Sequence, residues 1–343
     1  MRINGVNYDT GMAVDGELTR PSFDPDQVQR ELGIIADDLH ATAVRVSGVD
    51  LDRLAVASRH AVDAGLDAWF APFPSDVDAD ALVTDLTAAA RRAEEVRRAA
   101  PAGREVVLVL GCEMTLFCTG FVSGETLRDR IATMMDPQTW QTDEGRAPVT
   151  AGFARAYATH RRIVSAAREV FGGRITYAAG LWEQVEWDLY DIVSVDAYRD
   201  ADNAHAFAGM LRELQGFGKP VVASEFGCCT YRGAADRGGL GWAIVDDAHE
   251  RLTGDFERDE AEQVRYLHEL VSEFDAAGFA GSFWFSFAGY TLPHRDDPRR
   301  DLDMGSYGLV AVYDDGRCGA SYPDLTWEPK RSFHALAALY SAG

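Results

Sequence analysis

Lysine is nearly absent from this chain of 343 residues, and acidic residues far outnumber basic ones. Lys219 and Lys330 are its two lysines, and 55 Asp and Glu against 33 Lys and Arg give a formal net charge of −22 at pH 7. So much negative charge repels the phosphates of nucleic acids and of anionic lipids. We therefore expect neither nucleic acid nor a membrane as a partner, while the oligomeric state stays open.

Long apolar runs and cysteine pairs are also missing. No apolar stretch approaches the roughly 20 residues that a membrane-spanning helix needs. The first residues, Met1–Val6, lack the apolar core of a secretory signal. The five cysteines are an odd number and include no Cys-x-x-Cys pair, which argues against both a disulfide framework and a zinc site. These absences predict a cytoplasmic protein with reduced thiols, no metal and no other cofactor.

Short strand-like segments alternate with amphipathic helical patterns along the whole chain, as expected of βα units around a parallel sheet. Eight such units most simply close into one barrel, so we predict an α/β protein with a single (β/α)8 TIM barrel over residues 1–343. The predicted strands are Arg2–Tyr8, Thr42–Ser47, Asp67–Pro72, Glu105–Cys112, Arg174–Ala179, Asp191–Ala197, Lys219–Ser224 and Ala280–Phe287. The clearest helical patterns are Pro25–His40, Asp78–Ala99, Gly152–Phe171, Ala204–Gly216 and Asp259–Ala277.

Three of the predicted strand-to-helix connections are long. They follow strands four, seven and eight and cover Met114–Thr150, Phe226–Arg258 and Ala288–Trp327. In a (β/α)8 barrel these connections surround the active site, and long unstructured connections in a compact domain are usually lids or binding loops. The sequence therefore places function at the C-terminal ends of the strands.

Two glutamates stand where predicted strands end. Glu113 follows Val106–Cys112, and Glu225 follows Pro220–Ser224. In a barrel both would lie on one rim, at strands four and seven. Paired carboxylates are the minimal machinery for cleaving a glycosidic bond, because one donates a proton to the leaving oxygen while the other attacks or stabilises the anomeric carbon. We predict that Glu113 and Glu225 are catalytic.

These segments resemble the large clan of retaining glycoside hydrolases built on a (β/α)8 barrel. The resemblance implies that Glu113 is the acid/base and Glu225 the nucleophile, with Tyr198 bonded to Glu225. Arg45 would pair with Glu225, since a guanidinium keeps a neighbouring carboxylate ionised. The motifs are Pro220–Gly227, Val44–Val46, Val195–Tyr198 and Gly281–Ser286, which contains the expected sugar platform Trp284. One position departs from the clan: Cys112 stands immediately before Glu113, where its members usually carry asparagine.

Other polar and aromatic residues lie near predicted strand ends. Asp9 and Asp196 are expected either to bind substrate hydroxyls or to orient Arg45. Glu183 could contact substrate or lie on a charged helix face. Trp182 and Tyr290, like Trp284, could stack on a sugar or belong to the core. Arg45, Tyr198, Trp284, Asp9, Trp182, Glu183, Asp196 and Tyr290 are thus the predicted substrate-binding residues.

The first functional hypothesis is a retaining glycoside hydrolase acting on a small soluble glycoside or glycosylated metabolite. A second keeps both carboxylates but applies acid–base chemistry to a non-sugar metabolite, by ring opening or rearrangement, and Cys112 sustains it. A third is an inactive barrel that binds carbohydrate or a protein in phage defence. The chain also has a weaker resemblance to bacterial proteins catalogued as abortive-infection proteins.

Overall fold

A closed barrel of eight parallel strands forms the centre of the molecule. The structure is a computed structural model and describes residues 1–246, 248 and 250–342. Each strand pairs with its neighbours in the chain, and the first pairs with the last. The predicted (β/α)8 barrel is therefore confirmed. Its strands are β1 (Ile3–Asp9), β4 (Ala43–Gly48), β5 (Asp67–Pro72), β6 (Val106–Cys112), β7 (Ile175–Gly180), β8 (Val193–Asp196), β9 (Val221–Phe226) and β12 (Gly281–Trp284).

Alternate residues of these strands fill two separate apolar layers. In β6, Val107 and Val109 pack inside the barrel, whereas Leu108 and Leu110 pack between the barrel and its helices. Successive side chains of a strand point to opposite faces, so a strand buried on both faces is apolar throughout. This explains why the strands are visible in the sequence as short continuous apolar runs.

Helices surround the barrel, and many begin at an aspartate whose carboxylate accepts backbone N–H groups of the first turn. Five of them, α2, α4, α5, α6 and α10, are not among the clearest helical patterns of the sequence. The helices are α1 (Pro25–Asp37), α2 (Leu51–Asp63), α3 (Ala79–Ala99), α4 (Met114–Phe117), α5 (Leu127–Met135), α6 (Pro137–Gln141), α7 (Asp143–Arg168), α8 (Phe207–Glu213), α9 (Glu260–Ala277) and α10 (Arg331–Ser341).

The connection after the fourth barrel strand corrects an expectation. We expect Met114–Thr150 to be an unstructured connection, yet α4, α5, α6 and the start of α7 occupy much of it. Local capping explains these helices: Thr126 and Asp129 form a reciprocal capping box at the start of α5, and Asp136 caps α6 before Pro137. The long connection is therefore a folded element that lies beyond the barrel rim.

Three small hairpins lie at the same rim of the barrel, at the C-terminal ends of its strands. They follow barrel strands one, seven and eight and consist of β2 (Ala13–Val14) with β3 (Glu17–Leu18), β10 (Val245–Asp246) with β11 (Arg251–Leu252), and β13 (Val310–Val312) with β14 (Trp327–Pro329). Short 3-10 helices complete the rim and the helical layer at Trp187–Leu189, Leu214–Phe217, Ala234–Ile244 and Leu302–Gly305. Within the described residues, no helix combines the length and apolar character needed to cross a lipid bilayer.

Candidate active site

A local irregularity of strand pairing precedes each of the two strand-end glutamates. The register between β6 and β7 shifts between Val109 and Cys112, and the pairing of β9 with both neighbours shifts around Ser224. An extra residue in a strand redirects the side chains that follow it. On β9 this brings two consecutive residues, Ser224 and Glu225, towards Asp196 and Arg45 respectively.

Gly111 and Glu113 have backbone conformations that end β6 abruptly. Gly111 has φ +91°, which glycine adopts without cost, and Glu113 itself is left-handed at φ +40° and ψ +46°. A left-handed glutamate is uncommon and persists when its surroundings hold it. Glu113 thus stands at the sharp turn between β6 and α4, with its side chain half-buried.

Donors surround the carboxylate of Glu225, which is 9% exposed. Arg45 Nη1 donates to its Oε1 at 2.5 Å, and the Tyr198 hydroxyl donates to its Oε2 at 3.0 Å. Burial by itself lowers the pKa of Arg45, but the negative charge of Glu225 raises it overall, so the guanidinium stays charged. Burial, followed by Glu225, raises the pKa of Tyr198 well above its usual range, which keeps the phenol a donor. Each carboxylate oxygen of Glu225 thus accepts a hydrogen bond from a protein donor.

Glu113 has contrasting surroundings. Burial, and then the negative charges of Asp196 and Glu225, hold the pKa of Glu113 well above that of a free glutamate. The opposing effect of Arg45 is smaller. The raised pKa agrees with a carboxyl group that is protonated at rest, as a general acid must be.

Asp196 and Cys112 complete an acidic cluster beneath the glutamates. Ser224 Oγ donates to Asp196 Oδ1 at 2.8 Å, and Cys112 Sγ lies 3.4 Å from Asp196 Oδ2 and 3.7 Å from Glu225 Oε1. Burial is the main cause that raises the pKa of both Asp196 and Cys112, and Glu225 raises both further. Asp196, for which the sequence predicts either substrate binding or orientation of Arg45, thus lies among the site residues in contact with Ser224 and Cys112.

The thiol of Cys112 and the carboxylates of Asp196 and Glu225 lie within 4.8 Å of one another, close enough for a metal ion. Protein donors already engage this set, because Arg45 bonds to Glu225 and Ser224 to Asp196. A cation would have to displace or share these bonds. The contacts therefore favour a hydrogen-bonded acid cluster over a metal centre.

Asn7 is a member of the site that sequence reasoning missed. Its Oδ1 accepts a hydrogen bond from Arg45 at 2.9 Å, while its Nδ2 donates to the carbonyl of Ser224 at 2.9 Å. It thus joins β1 to the Arg45 and Glu225 pair. The predicted candidate on this strand, Asp9, instead accepts the backbone N–H groups of Gly11 and Met12, with no contact to Arg45 among its hydrogen bonds. A lone asparagine within a strand offered no motif to find.

Trp284 lies elsewhere than expected. Its side chain has no exposed surface, packs edge-to-face on Phe226, and donates Nε1–H to the carbonyl of Tyr307. It therefore presents no face to a sugar, which corrects the prediction of a platform. The alternation of β12 puts Trp284 on the outer layer, while the half-buried Phe285 lies against Tyr307, which in turn contacts Tyr198. Phe285 is therefore linked to Tyr198 of the site through the ring of Tyr307.

Trp182 and Glu183 contact the turn that follows Glu113. Trp182 is 37% exposed and donates Nε1–H to Thr115 Oγ1 at 3.2 Å. Glu183 accepts hydrogen bonds from Thr115 and Tyr177. The exposed Trp182 ring is available to a ligand, whereas the carboxylate of Glu183 is occupied by protein donors.

Tyr290 belongs to a cluster behind β1. Its hydroxyl donates to the buried Glu31 of α1 at 2.8 Å, and the Arg20 guanidinium covers its ring at 3.9 Å. Tyr8 and Trp327 also donate to Glu31. The structure thus brings Glu113, Glu225, Arg45, Tyr198 and Asp196 together, and places Tyr290 apart from them.

The segments that follow the two glutamates meet each other. Arg128, on α5 after Glu113, lies over the ring of Trp242, in the connection after Glu225, at 4.8 Å. The neighbouring Leu127 N–H donates to Asp15 in the β2–β3 turn. The N-terminal end of α5 therefore contacts connections that begin at strands one and seven, across the barrel from strand four.

Comparison with known proteins yields structural similarity alone. No protein-family model and no curated protein matches this sequence. Among solved structures, it is similar to a GH113 β-mannanase from Alicyclobacillus acidocaldarius at 16% identity and a TM-score of 0.62, covering 99% of this chain and 97% of that one. It is also similar to a family 1 β-glucosidase from Thermotoga maritima at 11% identity and a TM-score of 0.56, covering 99% of this chain and 97% of that one. A further similar structure is β-glucosidase 1317, at 13% identity and a TM-score of 0.55, covering 100% of this chain and 99% of that one.

These structural neighbours are glycoside hydrolases, and at such low identity they establish the fold. The resemblance to abortive-infection proteins is not shown by these comparisons. The roles of the named residues remain predictions.

Proposed function

We propose that this chain is a retaining glycoside hydrolase that acts on a small soluble glycoside or glycosylated metabolite. The observation that carries the proposal is the unequal environment of two strand-end glutamates. Glu225 is bonded to a guanidinium and a phenol, whereas the pKa of Glu113 is raised by burial and by neighbouring acids. Such a division separates a nucleophile from a general acid.

In the proposed mechanism, Glu225 attacks the anomeric carbon while Glu113 gives its proton to the departing glycosidic oxygen. The sugar is then covalently bound to Glu225, and Glu113 is left as a carboxylate. Glu113 next takes a proton from water, whose oxygen attacks the anomeric carbon and releases Glu225. Arg45 and Tyr198 hold the Glu225 carboxylate in place between the two steps.

The small size of the proposed substrate is supported by contacts that the connection after strand four makes with the connections after strands seven and one. Arg128 on Trp242 and Leu127 on Asp15 join segments from opposite sides of the barrel mouth. Such contacts limit the length of sugar chain that can extend away from the glutamates. A single sugar unit with its leaving group is therefore the class of substrate that we expect.

Cys112 favours the second candidate function, acid–base chemistry on a non-sugar metabolite. The thiol is a weak hydrogen-bond donor, and it points to Asp196 and Glu225. It therefore offers little to a sugar hydroxyl at the position where the resembled clan has an amide. The same carboxylates would then transfer protons in a ring opening or rearrangement.

A panel of aryl glycosides tests the proposal. The wild-type protein should hydrolyse at least one 4-nitrophenyl monoglycoside, and proton NMR of the first product should show retention of the anomeric configuration. Glu225→Gln is the matched inactive control. Inversion would contradict the assigned roles, and absence of hydrolysis across all sugars and both anomers would favour the non-sugar alternative.

A further inference from the structure

Three consecutive backbone amides hold the left-handed turn at Glu113 to one neighbouring segment. Glu113 N–H donates to the carbonyl of Ala178 at 2.9 Å, and Met114 N–H donates to the hydroxyl of Tyr177 at 2.6 Å. Thr115 N–H donates to the carboxylate of Glu183 at 3.1 Å. All three acceptors come from β7 or the residues just beyond it, so this segment fixes the path of the chain through Glu113.

Glu183 is the centre of this arrangement. Its Oε1 accepts from the amide and the hydroxyl of Thr115, and its Oε2 accepts from the Tyr177 hydroxyl at 2.8 Å and the Gly180 amide at 3.2 Å. Four donors directed at one side chain match the four lone-pair sites of a carboxylate. A neutral amide would have to turn two of its own N–H bonds towards donors. Burial raises the pKa of Glu183, and the hydrogen bonds from Thr115, Tyr177 and Gly180 oppose that rise, so the four donors favour the ionised form.

Tyr177 couples Glu183 to the turn. Its hydroxyl donates to Glu183 and accepts from Met114, so that one group links the carboxylate to the residue directly after Glu113. The ring is fully buried and packs edge-to-face on His160 of α7, with centroids 4.5 Å apart. The hydroxyl therefore has little freedom to move away.

We infer that Glu183 and Tyr177 are positioning residues that hold the proton-donating Glu113 in its left-handed conformation, and that Glu183 is not a substrate ligand. The inference rests on the proposed function for the role of Glu113. A residue at φ +40° returns to an ordinary backbone conformation when its surroundings release it. Loss of either side chain should therefore misplace the acid and leave the Glu225 pocket unchanged.

Leaving-group dependence distinguishes positioning of the acid from general loss of structure. In Tyr177→Phe, kcat/KM should fall about tenfold or more for phenyl or alkyl glycosides, which need the proton, and less than about twofold for 2,4-dinitrophenyl glycosides, which do not. Glu183→Gln should show the same split. Tyr190→Phe is the matched control, because Tyr190 is a buried tyrosine that contacts His160 but makes no bond to the turn. Equal losses on both substrates, or the same pattern in Tyr190→Phe, would overturn the inference.

A second measurement does not depend on turnover. Burial raises the pKa of Glu113 most, followed by Asp196, Glu225 and Glu183, while Arg45 lowers it. Carbon-13 NMR titration of the Glu113 carboxyl group should show a lower pKa in Glu183→Gln than in the wild type and no change in Tyr190→Phe. Cys112 and Tyr198 are two further ionisable groups nearby, since the charge of Glu113 raises the pKa of both.

The two measurements separate the two claims. If the wild type hydrolyses no glycoside, the proposed function fails, and the titration still decides whether Glu183 acts on Glu113. An unchanged Glu113 pKa in Glu183→Gln, in a protein with wild-type circular dichroism, would overturn the positioning role.

Discussion

The C-terminal ends of β6 and β9 carry the same side chain in opposite surroundings. At the end of β9, Glu225 receives hydrogen bonds from Arg45 and Tyr198. At the end of β6, Glu113 stands in a left-handed turn, where burial and nearby acids raise its pKa. The difference shows that neighbouring side chains and the backbone, and not residue type, assign a carboxyl group its chemistry.

The largest effect is expected at β9. Glu225→Gln should reduce kcat on the order of 10⁴-fold or more on every glycoside, because an amide cannot replace the nucleophile. Steady-state kinetics on 4-nitrophenyl and 2,4-dinitrophenyl substrates checks this, with circular dichroism as the control for folding. Turnover near the wild-type rate would place the chemistry elsewhere.

The effect at β6 should depend on the substrate. Glu113→Gln should lose roughly 10²- to 10⁴-fold on glycosides with poor leaving groups, since general acid catalysis contributes about that much. With a 2,4-dinitrophenyl glycoside, the first step should survive and a covalent intermediate should accumulate, which intact-protein mass spectrometry can detect. A uniform loss on all leaving groups would erase the proposed difference between the two strand ends.

Arg45 is expected to matter for stability as well as for activity. The guanidinium is 1% exposed and pairs with Glu225, so Arg45→Met leaves a buried charge without its partner and should lower the free energy of unfolding by about 3–5 kcal/mol. Urea denaturation at pH 7 measures this. Arg161→Met removes an ion pair with Glu186 at the surface and should lower the free energy of unfolding far less, because solvent already screens that pair. Equal costs would show that the Arg45 pair is not buried as described.

A pH dependence of stability follows from the raised pKa of Glu113. Between the ordinary value of about 4.3 and the raised value in the folded chain, the folded state holds the proton more tightly than the unfolded state, so the free energy of unfolding falls as pH rises. A glutamine at this position does not titrate, so Glu113→Gln removes this fall in the free energy of unfolding. The free energies of unfolding of the wild type and Glu113→Gln should coincide below about pH 4, and that of Glu113→Gln should become increasingly the larger above it. A difference that is constant with pH would contradict the shift.

The smallest effect is expected at the residue before Glu113. Cys112→Ala removes a weak donor whose sulfur lies 3.4 Å from Asp196 and 3.7 Å from Glu225. We expect kcat/KM to change less than about threefold, because thiol hydrogen bonds contribute little. A much larger loss, measured on the best glycoside found, would give the thiol a direct role and strengthen the non-sugar alternative.

The barrel strands and both glutamates could be predicted from the sequence because each strand is a short apolar run with a polar residue at its end. The bulges around Gly111 and Ser224 could not, since register depends on pairing with neighbouring strands. The error at Trp284 has the same origin: without the register, the inward face of β12 is ambiguous. Asn7 and the bonds of Glu183 depend on contacts between distant strands, which local patterns do not reveal.

Trapping of the covalent intermediate would identify the residue that attacks the sugar. A 2-deoxy-2-fluoro glycoside with a dinitrophenyl leaving group slows release of the sugar from a retaining enzyme, so the glycosylated protein can be digested and its peptides sequenced by mass spectrometry. We expect one added sugar, on Glu225, and none in Glu225→Gln. A sugar on any other residue, or a single-step inverting reaction with no adduct, would contradict it.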